Sequence, residues 1–539
     1  MEFNLADLFE NAVDHFGDRE YLVCDGKRRT YREMEERANR LAHHLATAAG
    51  IGPGDHVGIY ALNSVEWIET LWAVFKLRAV WININYRYVE DELRYLFDNA
   101  DLRALVYARE YAPRVAGVRD AMAPDAHLVE IDDGNQALTG GLRASDYEAA
   151  LAAASPVRDF GPRSPDDHYI LYTGGTTGMP KGVVWRHEDV FYALGGGIEP
   201  YTRERAAHPG DMVERGKAAG APITFLPIAP LMHGASQWAV MGQSFTGNRV
   251  VMMGRFDPAA VWDLVAGERV NSIMITGDAM GRPLIEALDA EPARWDTSSL
   301  FLLTSSAATF SPSVKDKFFE HFPNLIMIDA IGSSETGNQG MVMVQKGETA
   351  MKGGPTVTGM GRTVVLDEMG RPLAAGSGEI GRLARTGDIP LGYYKDPKKT
   401  AETFVTIEGV RYSIPGDYAL VEPDGRITLL GRGSVSINSG GEKIFPEEVE
   451  AAVKSHPEIF DCTVVGVPDA RWGERVAAVV QARPGCTPVL ASVQAHCRSR
   501  IAGYKVPREI HLVDQIVRSP SGKPDYRWAK QAALARQEA

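Results

Sequence analysis

The sequence predicts an α/β protein in two parts. Residues 1–431 form a large N-terminal domain of helix-covered sheets, and residues 432–539 a small, mobile C-terminal α+β domain. Three observations carry this expectation. At 539 residues the chain is too long for one ordinary core. Short apolar runs alternate with segments of helical spacing, as in sheets covered by helices. After Gly431 that pattern changes, passing through the loop GRGSVSINSGGEK.

In chain order, MEFNLADLFENAVDHF opens with the spacing of an amphipathic helix. YREMEERANRLAHHLATA, VEWIETLWAVFKL and VEDELRYLFDNA are predicted helices. HVGIYAL, RALVYA, HLVEI, RVVMM, SIMIT, LFLLTS and LIMIDA read as buried strands. The charged, Gly- and Ala-rich stretch from Pro200 to Pro222 is expected to be a mobile loop. Past the change of pattern, FPEEVEAAVKSH has a proline near a helix start and acids in its first turn. The strands CTVVGV and VAAVVQA follow, then the helix LASVQAHCRSRIA.

Hydrophobic content of 45% and charged content of 24% are those of a soluble globular protein. A net charge of −13 argues against nucleic acid as a main partner and against an electrostatic anchor on anionic lipid. No apolar run approaches a membrane span, and the acidic start does not read as a secretory signal. The four cysteines show neither metal spacing nor a disulfide framework. A cytoplasmic location is expected, and a homodimer is compatible with the chain.

The stretch LYTGGTTGMPKGV packs small and hydroxylated residues before a lysine. Glycines let main-chain N–H groups approach a ligand, and threonine hydroxyls with a lysine suit phosphate oxygens. It is not a Walker loop, because Met179 and Pro180 separate Gly178 from Lys181. Further on, DAIGSSETG presents Glu335, YSIPGD ends in Asp417, GRGS holds Arg432 and SPSGKPD holds Lys523. Singly these are weak signals, since a lone acid is more often a cap or a solvated residue.

In this order, however, they resemble the adenylate-forming superfamily of acyl-CoA synthetases, luciferases and peptide-synthetase adenylation domains. The resemblance covers nearly the whole chain. GRGSVSINSGGEK and LYTGGTTGMPKGVVWRHED narrow it to acyl-CoA synthetases similar to actinobacterial ligases of fatty acids and steroid side-chain acids. It implies an ATP-dependent ligase that joins a carboxylic acid to CoA through an acyl-adenylate, with magnesium as cofactor. Thr173, Gly174, Gly175, Thr176, Thr177, Gly178 and Lys181 would then cradle the phosphates. Glu335 would bind magnesium, and Ser334 would contact the α-phosphate. Asp417 and Arg432 would hold the ribose, and Lys523 would bridge the reacting carboxylate and the α-phosphate. His233 would gate the carboxylate site, and Gly441 would line the pantetheine tunnel.

Departures from the family pattern are local. Ile331 stands where a tyrosine usually covers the adenine, so aromatic stacking is lost. Asp329 replaces an amide that meets the adenine amino group, and a carboxylate can accept that bond. Ser434 occupies the hinge position, often aspartate, and Ser413-Ile414-Pro415-Gly416 replaces the usual residues before the ribose acid. LMHGASQW lacks the aspartate that pairs with an amino-acid substrate, so an ammonium would be buried unpaired. The expected acyl pocket comprises Gly196, Gly234, Ala235, Trp238, Ser306 and Ala307, with Ala308 on the nucleotide side. Gly195–Gly197 would either free volume for a bulky acid or end a helix. An acyl-AMP ligase loading a carrier protein and a catalytically silent nucleotide-binding protein remain alternatives.

Overall fold

A computed structural model describes residues 2–137, 140–173, 179–199, 202–349, 354–439, 442–469, 472–518 and 522–535. The chain forms two compact units. One contains residues 1–274, 291–301 and 388–404, the other 275–290, 302–387 and 405–539.

The first unit holds an eight-stranded sheet. Its order is Gly392–Tyr393, Lys181–Arg186, His168–Thr173, Val80–Asn83, His56–Tyr60, Leu102–Ala108, His127–Ile131 and Ser145–Asp146. From His168–Thr173 onward neighbours pair in parallel. Such strands are covered on both faces, which is why they read as continuous apolar runs rather than alternating ones. A second set of strands runs Lys27–Thr30, Glu20–Cys24, Arg249–Met252, Thr224–Pro227, Ser272–Ile275. Helix Tyr31–Ala49 is fixed at both ends: Thr30 and Glu33 exchange capping bonds, and Gly50 closes it at φ 63°. Helix Val65–Lys76 is buried on every side, so its hydrophobicity runs all round. Its last residue, Lys76, is paired with Glu10 and Glu35, and Arg163 adds bonds to Asp7 and Glu10. These pairs anchor helix Leu5–Phe16, because a buried charge is tolerated only when paired.

One expectation changes, and one of two open readings is seen in the backbone. The stretch from Pro200 to Pro222 contains a helix, Asp211–Ala218. Met212 and Val213 are buried, and a methyl at Gly216 would lie 2.1 Å from the Thr246 carbonyl oxygen. So short an apolar face leaves almost no periodic signal, and the charged composition hid it. The triple glycine terminates helix His187–Ala193. Gly195 N–H donates to Val190 O at 3.0 Å, Gly197 N–H donates to Phe191 O at 3.1 Å, and Gly196 turns the chain at φ 83° with its surface exposed.

The second unit contains strands in the order Leu302–Ser305, Ile326–Ser333, Gly337–Val344, Thr356–Gly359, Ile427–Arg432, Asp417–Val421, Gly381–Thr386 and Val410–Ser413. Ile331, Val357, Val365, Leu383, Ala419 and Ile427 form an apolar cluster within it. Beyond Arg432 a separate five-stranded sheet begins, ordered Glu442–Ile444, Ile437–Ser439, Gly473–Ala482, Ile459–Asp469, with Glu509–Val513 beside Gly473–Ala482. Alternate residues of its two longest strands, Ile459–Asp469 and Gly473–Ala482, feed two clusters. Val464, Val476, Ala478 and Val480 join helices Pro446–Lys454 and Leu490–Arg498, whereas Val465, Val467, Ala477 and Val479 join Tyr526–Ala535. The expected hinge is the end of strand Ile427–Arg432 followed by a 3₁₀ turn, Gly433–Val435.

Candidate active site

In the first unit, strands His168–Thr173 and Lys181–Arg186 form an antiparallel hairpin closed by the pair Thr173 and Lys181. Gly174 to Gly178, between these strands, lie outside the described residues. Lys181 is not presented bare: its ammonium pairs with Asp396. Asp396 also caps helix Pro397–Thr403 by accepting from Lys399 N–H at 2.9 Å.

Asn83 ties the hairpin to the second candidate element. It accepts from Tyr172 N–H at 2.8 Å and donates to the carbonyls of Tyr172 at 2.9 Å and Met232 at 2.7 Å. Those two residues immediately precede Thr173 and His233, so one buried amide registers both segments. His233 is the first residue before helix Gly234–Phe245, and its carbonyl accepts from Gln237 N–H. Gly234 is packed tightly, a methyl there falling 2.5 Å from Leu171 and 2.8 Å from the Trp238 ring. Trp238 is buried, and Ala235 is half-buried beside it on the same helix.

In the second unit, strands Ile326–Ser333 and Gly337–Val344 make a hairpin whose tip carries Ser334, Glu335 and Thr336. Thr336 is fully buried, and its hydroxyl accepts from Ser333 N–H at 3.1 Å, which stiffens the tip. Ser413 Oγ, also fully buried, donates to the Glu335 carbonyl at 2.7 Å. The backbone at Glu335 is thereby fixed while its carboxylate stays half-exposed. Asp417 and Arg432 face each other across adjacent strands, with Arg432 Nε donating to Asp417 Oδ1 at 3.2 Å.

Lys523 is brought to these three residues. Crowding by the surrounding protein pushes its ammonium pKa down and Arg432 adds repulsion, while Glu335 and Asp417 pull it back up. The residue as a whole remains open to solvent, which screens part of this effect. Glu335, the Asp417–Arg432 pair and Lys523, separated by long stretches of sequence, are therefore assembled at one place.

The neighbouring positions are more varied. Asp329 is buried and paired with Lys315, and its Oδ1 is enclosed with no hydrogen-bond partner. Burial pushes its carboxyl upward against the pull of Lys315. One acceptor oxygen of Asp329 is thus left over. Ile331 is 7% exposed, most of its side chain being taken up by the apolar cluster of its own unit. In the loop after Leu302–Ser305, Ala307 holds φ 66°, a left-handed conformation costing a non-glycine residue about 1–2 kcal/mol. Ser306 and Ala308 flank it, and Ala308 N–H donates to Ser306 O at 2.8 Å. Strain at this turn is in keeping with a site rather than a plain connection. Ser434 is placed only through the backbone of the 3₁₀ turn, and Gly441 lies outside the described residues.

One residue at this site went unnoticed in the sequence. Glu447, in the first turn of Pro446–Lys454, lies against Gly431, where a methyl would sit 2.2 Å from Oε2. Its carboxyl accepts the main-chain N–H of Arg432. Burial, then Glu450 and Asp417, push it up to about 8, from an ordinary 4.5. Between those values the folded chain binds more protons than the unfolded one. The stability Glu447 contributes is therefore present at acid pH and lost as pH rises through that window. Glu447→Gln is expected to remove this slope. The urea midpoint of wild type minus variant should fall between about pH 5 and about pH 8; a constant difference would contradict it.

Among the described residues there is no group of three or more His, Cys, Asp or Glu side chains suited to a metal. A single half-exposed carboxylate at a hairpin tip nevertheless fits magnesium, which binds through one or two carboxylates plus phosphate oxygens and water.

Residues 9–394 match the model of the AMP-binding enzymes, and residues 448–523 match that of the AMP-binding enzyme C-terminal domain. The chain is 52% identical over 534 residues to a 3-oxocholest-4-en-26-oate–CoA ligase of Rhodococcus rhodochrous, covering 98% of this chain and 96% of that one. It is also 52% identical over 536 residues to a medium/long-chain-fatty-acid–CoA/3-oxocholest-4-en-26-oate–CoA ligase of Mycobacterium tuberculosis, covering 99% and 97%. In fold it is similar to the anthranilate CoA ligase AuaEII bound to anthranoyl-AMP, with a TM-score of 0.85 at 22% identity over 99% and 98% of the two chains. No described helix is long and apolar enough to cross a membrane.

Proposed function

Since the chain belongs to the AMP-binding enzyme family, we propose that it activates a medium- or long-chain fatty acid or a steroid side-chain acid with ATP and passes the acyl group to CoA. It is an AMP-forming acid–thiol ligase. The carrying observation is the placement of Lys523 among Glu335, Asp417 and Arg432.

In the first step a carboxylate oxygen of the acid attacks the α-phosphorus of ATP, and the bond to pyrophosphate breaks. Two anions meet, so a cation placed for the developing charge has the largest effect. Lys523 supplies it, its ammonium spanning the incoming carboxylate and the α-phosphate. Asp417 accepts from the ribose hydroxyls and holds Arg432 toward the same side. Ser334 donates to the α-phosphate, and Lys181 with the Gly-Thr loop steadies the outer phosphates. Magnesium, held by Glu335, would neutralise phosphate charge when bound. In the second step the CoA sulfur attacks the acyl carbon, and AMP leaves. His233 gates the carboxylate, and Gly234, Ala235, Trp238, Ser306 and Ala307 border the acyl chain. The domain after Arg432 changes pose between steps about Ser434, presenting Lys523 and then the Gly441 loop. A cytoplasmic location suits an enzyme fed by ATP and CoA.

The test is a panel of fatty, aromatic and steroid acids assayed for pyrophosphate release and CoA-dependent AMP formation. Release of both, with preference for long or ring-bearing acids, supports the reading. Pyrophosphate without CoA-dependent AMP would make it a carrier-protein ligase, and neither product would make it silent.

The helix-end geometry of Gly195–Gly197 alters what substitution there should do. Gly196→Leu places a side chain at φ 83° on an exposed cap. It is expected to lower stability by about 1–2 kcal/mol and to reduce kcat/KM for short and bulky acids in parallel. A loss confined to the bulky acid would return Gly196 to the acyl pocket.

A further inference from the structure

Lys523 must be aimed, and the turn that carries it shows how. Gly522 holds φ 73° and is seated against the segment Thr276–Ala279: a methyl on it would lie 2.9 Å from Ala279 Cβ and 3.2 Å from the Thr276 carbonyl oxygen. Arg518 and Pro524 close the turn as an isolated antiparallel bridge. Across it, Arg518 Nη1 donates to Gly522 O at 3.1 Å. The rest of the guanidinium is locked in a two-pronged pair with Asp461, Nε to Oδ2 at 2.7 Å and Nη2 to Oδ1 at 2.6 Å.

Asp461 is itself fixed. It lies in strand Ile459–Asp469, which pairs along its length with Gly473–Ala482, and Lys454 Nζ stands 3.4 Å from Oδ1. Burial pushes its carboxyl up, but Lys454 and Arg518 outweigh this and hold it at about 2. It therefore stays ionised throughout the range in which an enzyme works. Glu450 and Asp278 line one small cavity together with Lys454 and Arg518, so the two cations face further acids there.

We propose that Arg518 is a positioning residue for acyl-adenylate formation: anchored on Asp461, it holds the Gly522 carbonyl and so sets the direction in which Lys523 leaves the chain. The peptide unit is planar, so fixing the oxygen of residue 522 fixes the N–H and Cα of residue 523. Only one main-chain rotation, that about N–Cα of Lys523, then remains to set where its Cβ points. A planar fork can hold a carboxylate with two donors and still offer a third to a carbonyl, which a lysine cannot. This inference rests on the reading that Lys523 serves the first step.

The experiment compares wild type with Arg518→Met, Asp461→Asn, Lys523→Ala and the double variant Arg518→Met/Lys523→Ala. Pyrophosphate release reads the first step, and CoA thioester formation from supplied acyl-adenylate reads the second. Arg518→Met is expected to slow the first step by on the order of 10²-fold, the scale of a small misplacement of a catalytic group. The KM values for ATP and acid and the second step should be nearly unchanged. Asp461→Asn should show the same split more weakly. In the Lys523→Ala background, Arg518→Met should change nothing further, because an aiming residue has no effect once its target is gone. Equal slowing of both steps, a further loss in that background, or failure of both single variants to fold would assign Arg518 to structure and overturn the proposal. An unimpaired first step in Lys523→Ala would instead overturn the reading of Lys523 on which it rests.

Discussion

Replacing Lys523 with alanine is expected to slow acyl-adenylate formation by on the order of 10²–10³-fold, the effect of losing one preorganised charge-stabilising donor. Thioester formation from supplied acyl-adenylate should be largely spared. The two half-reactions build charge at different atoms: the first on the phosphate and attacking carboxylate, the second on the acyl carbonyl as AMP departs. Lys523 sits with Arg432, Glu335 and Asp417, so the change falls on the nucleotide side. Pyrophosphate release and thioester formation, assayed separately, read the split. Equal losses in both would give Lys523 a role in folding or docking.

Glu335→Gln is expected to be the next most damaging change. Glutamine keeps the shape and most neutral hydrogen bonding, and the hairpin tip stays fixed by Thr336 and Ser413 through main-chain atoms. What is lost is the negative charge proposed to hold magnesium. Removing a mere partner of a metal ligand already weakens metal affinity about 10–100-fold, so losing the ligand should raise the magnesium needed for half-maximal rate at least that far. Unfolding transitions of the two proteins should coincide. An unaltered magnesium titration would place the metal on another residue.

Much of this molecule was legible beforehand, for reasons that can be named. Strands such as His56–Tyr60 and Leu102–Ala108 are enclosed on both faces and so appear as plain apolar runs. Helix Tyr31–Ala49 announces itself through Thr30, Glu33 and Gly50. Glu335, Asp417, Arg432 and Lys523 stand out because each lies in a Gly- or Pro-marked turn, and their order gives the family. What stayed hidden depends on contacts remote in sequence. Asn83 ends an ordinary strand, and nothing near it tells of Tyr172 or Met232. Ser413 looks like a plain departure from the family pattern until its bond to the Glu335 carbonyl is seen. Glu447 is one acid among several in a helix start, and only the closeness of Gly431 sets it apart. Helix Asp211–Ala218 has too narrow an apolar face to mark its period.

The pairing of Lys181 with Asp396 has a consequence for how the protein discriminates among anions. Asp396 is a tethered rival for the lysine, present at a fixed effective concentration whatever the solution contains. A lone phosphate or sulfate offers little that this carboxylate does not already provide, and has no means of dislodging it. A triphosphate anchored elsewhere along its length competes on equal terms, since it too acts as a tethered ligand once its far end is held. Under the proposed function the ion pair would act as a threshold, closing the lysine to small anions and opening it to a polyphosphate held by its other end. Adding salt loosens both contests together, so this preference is one of geometry more than of charge.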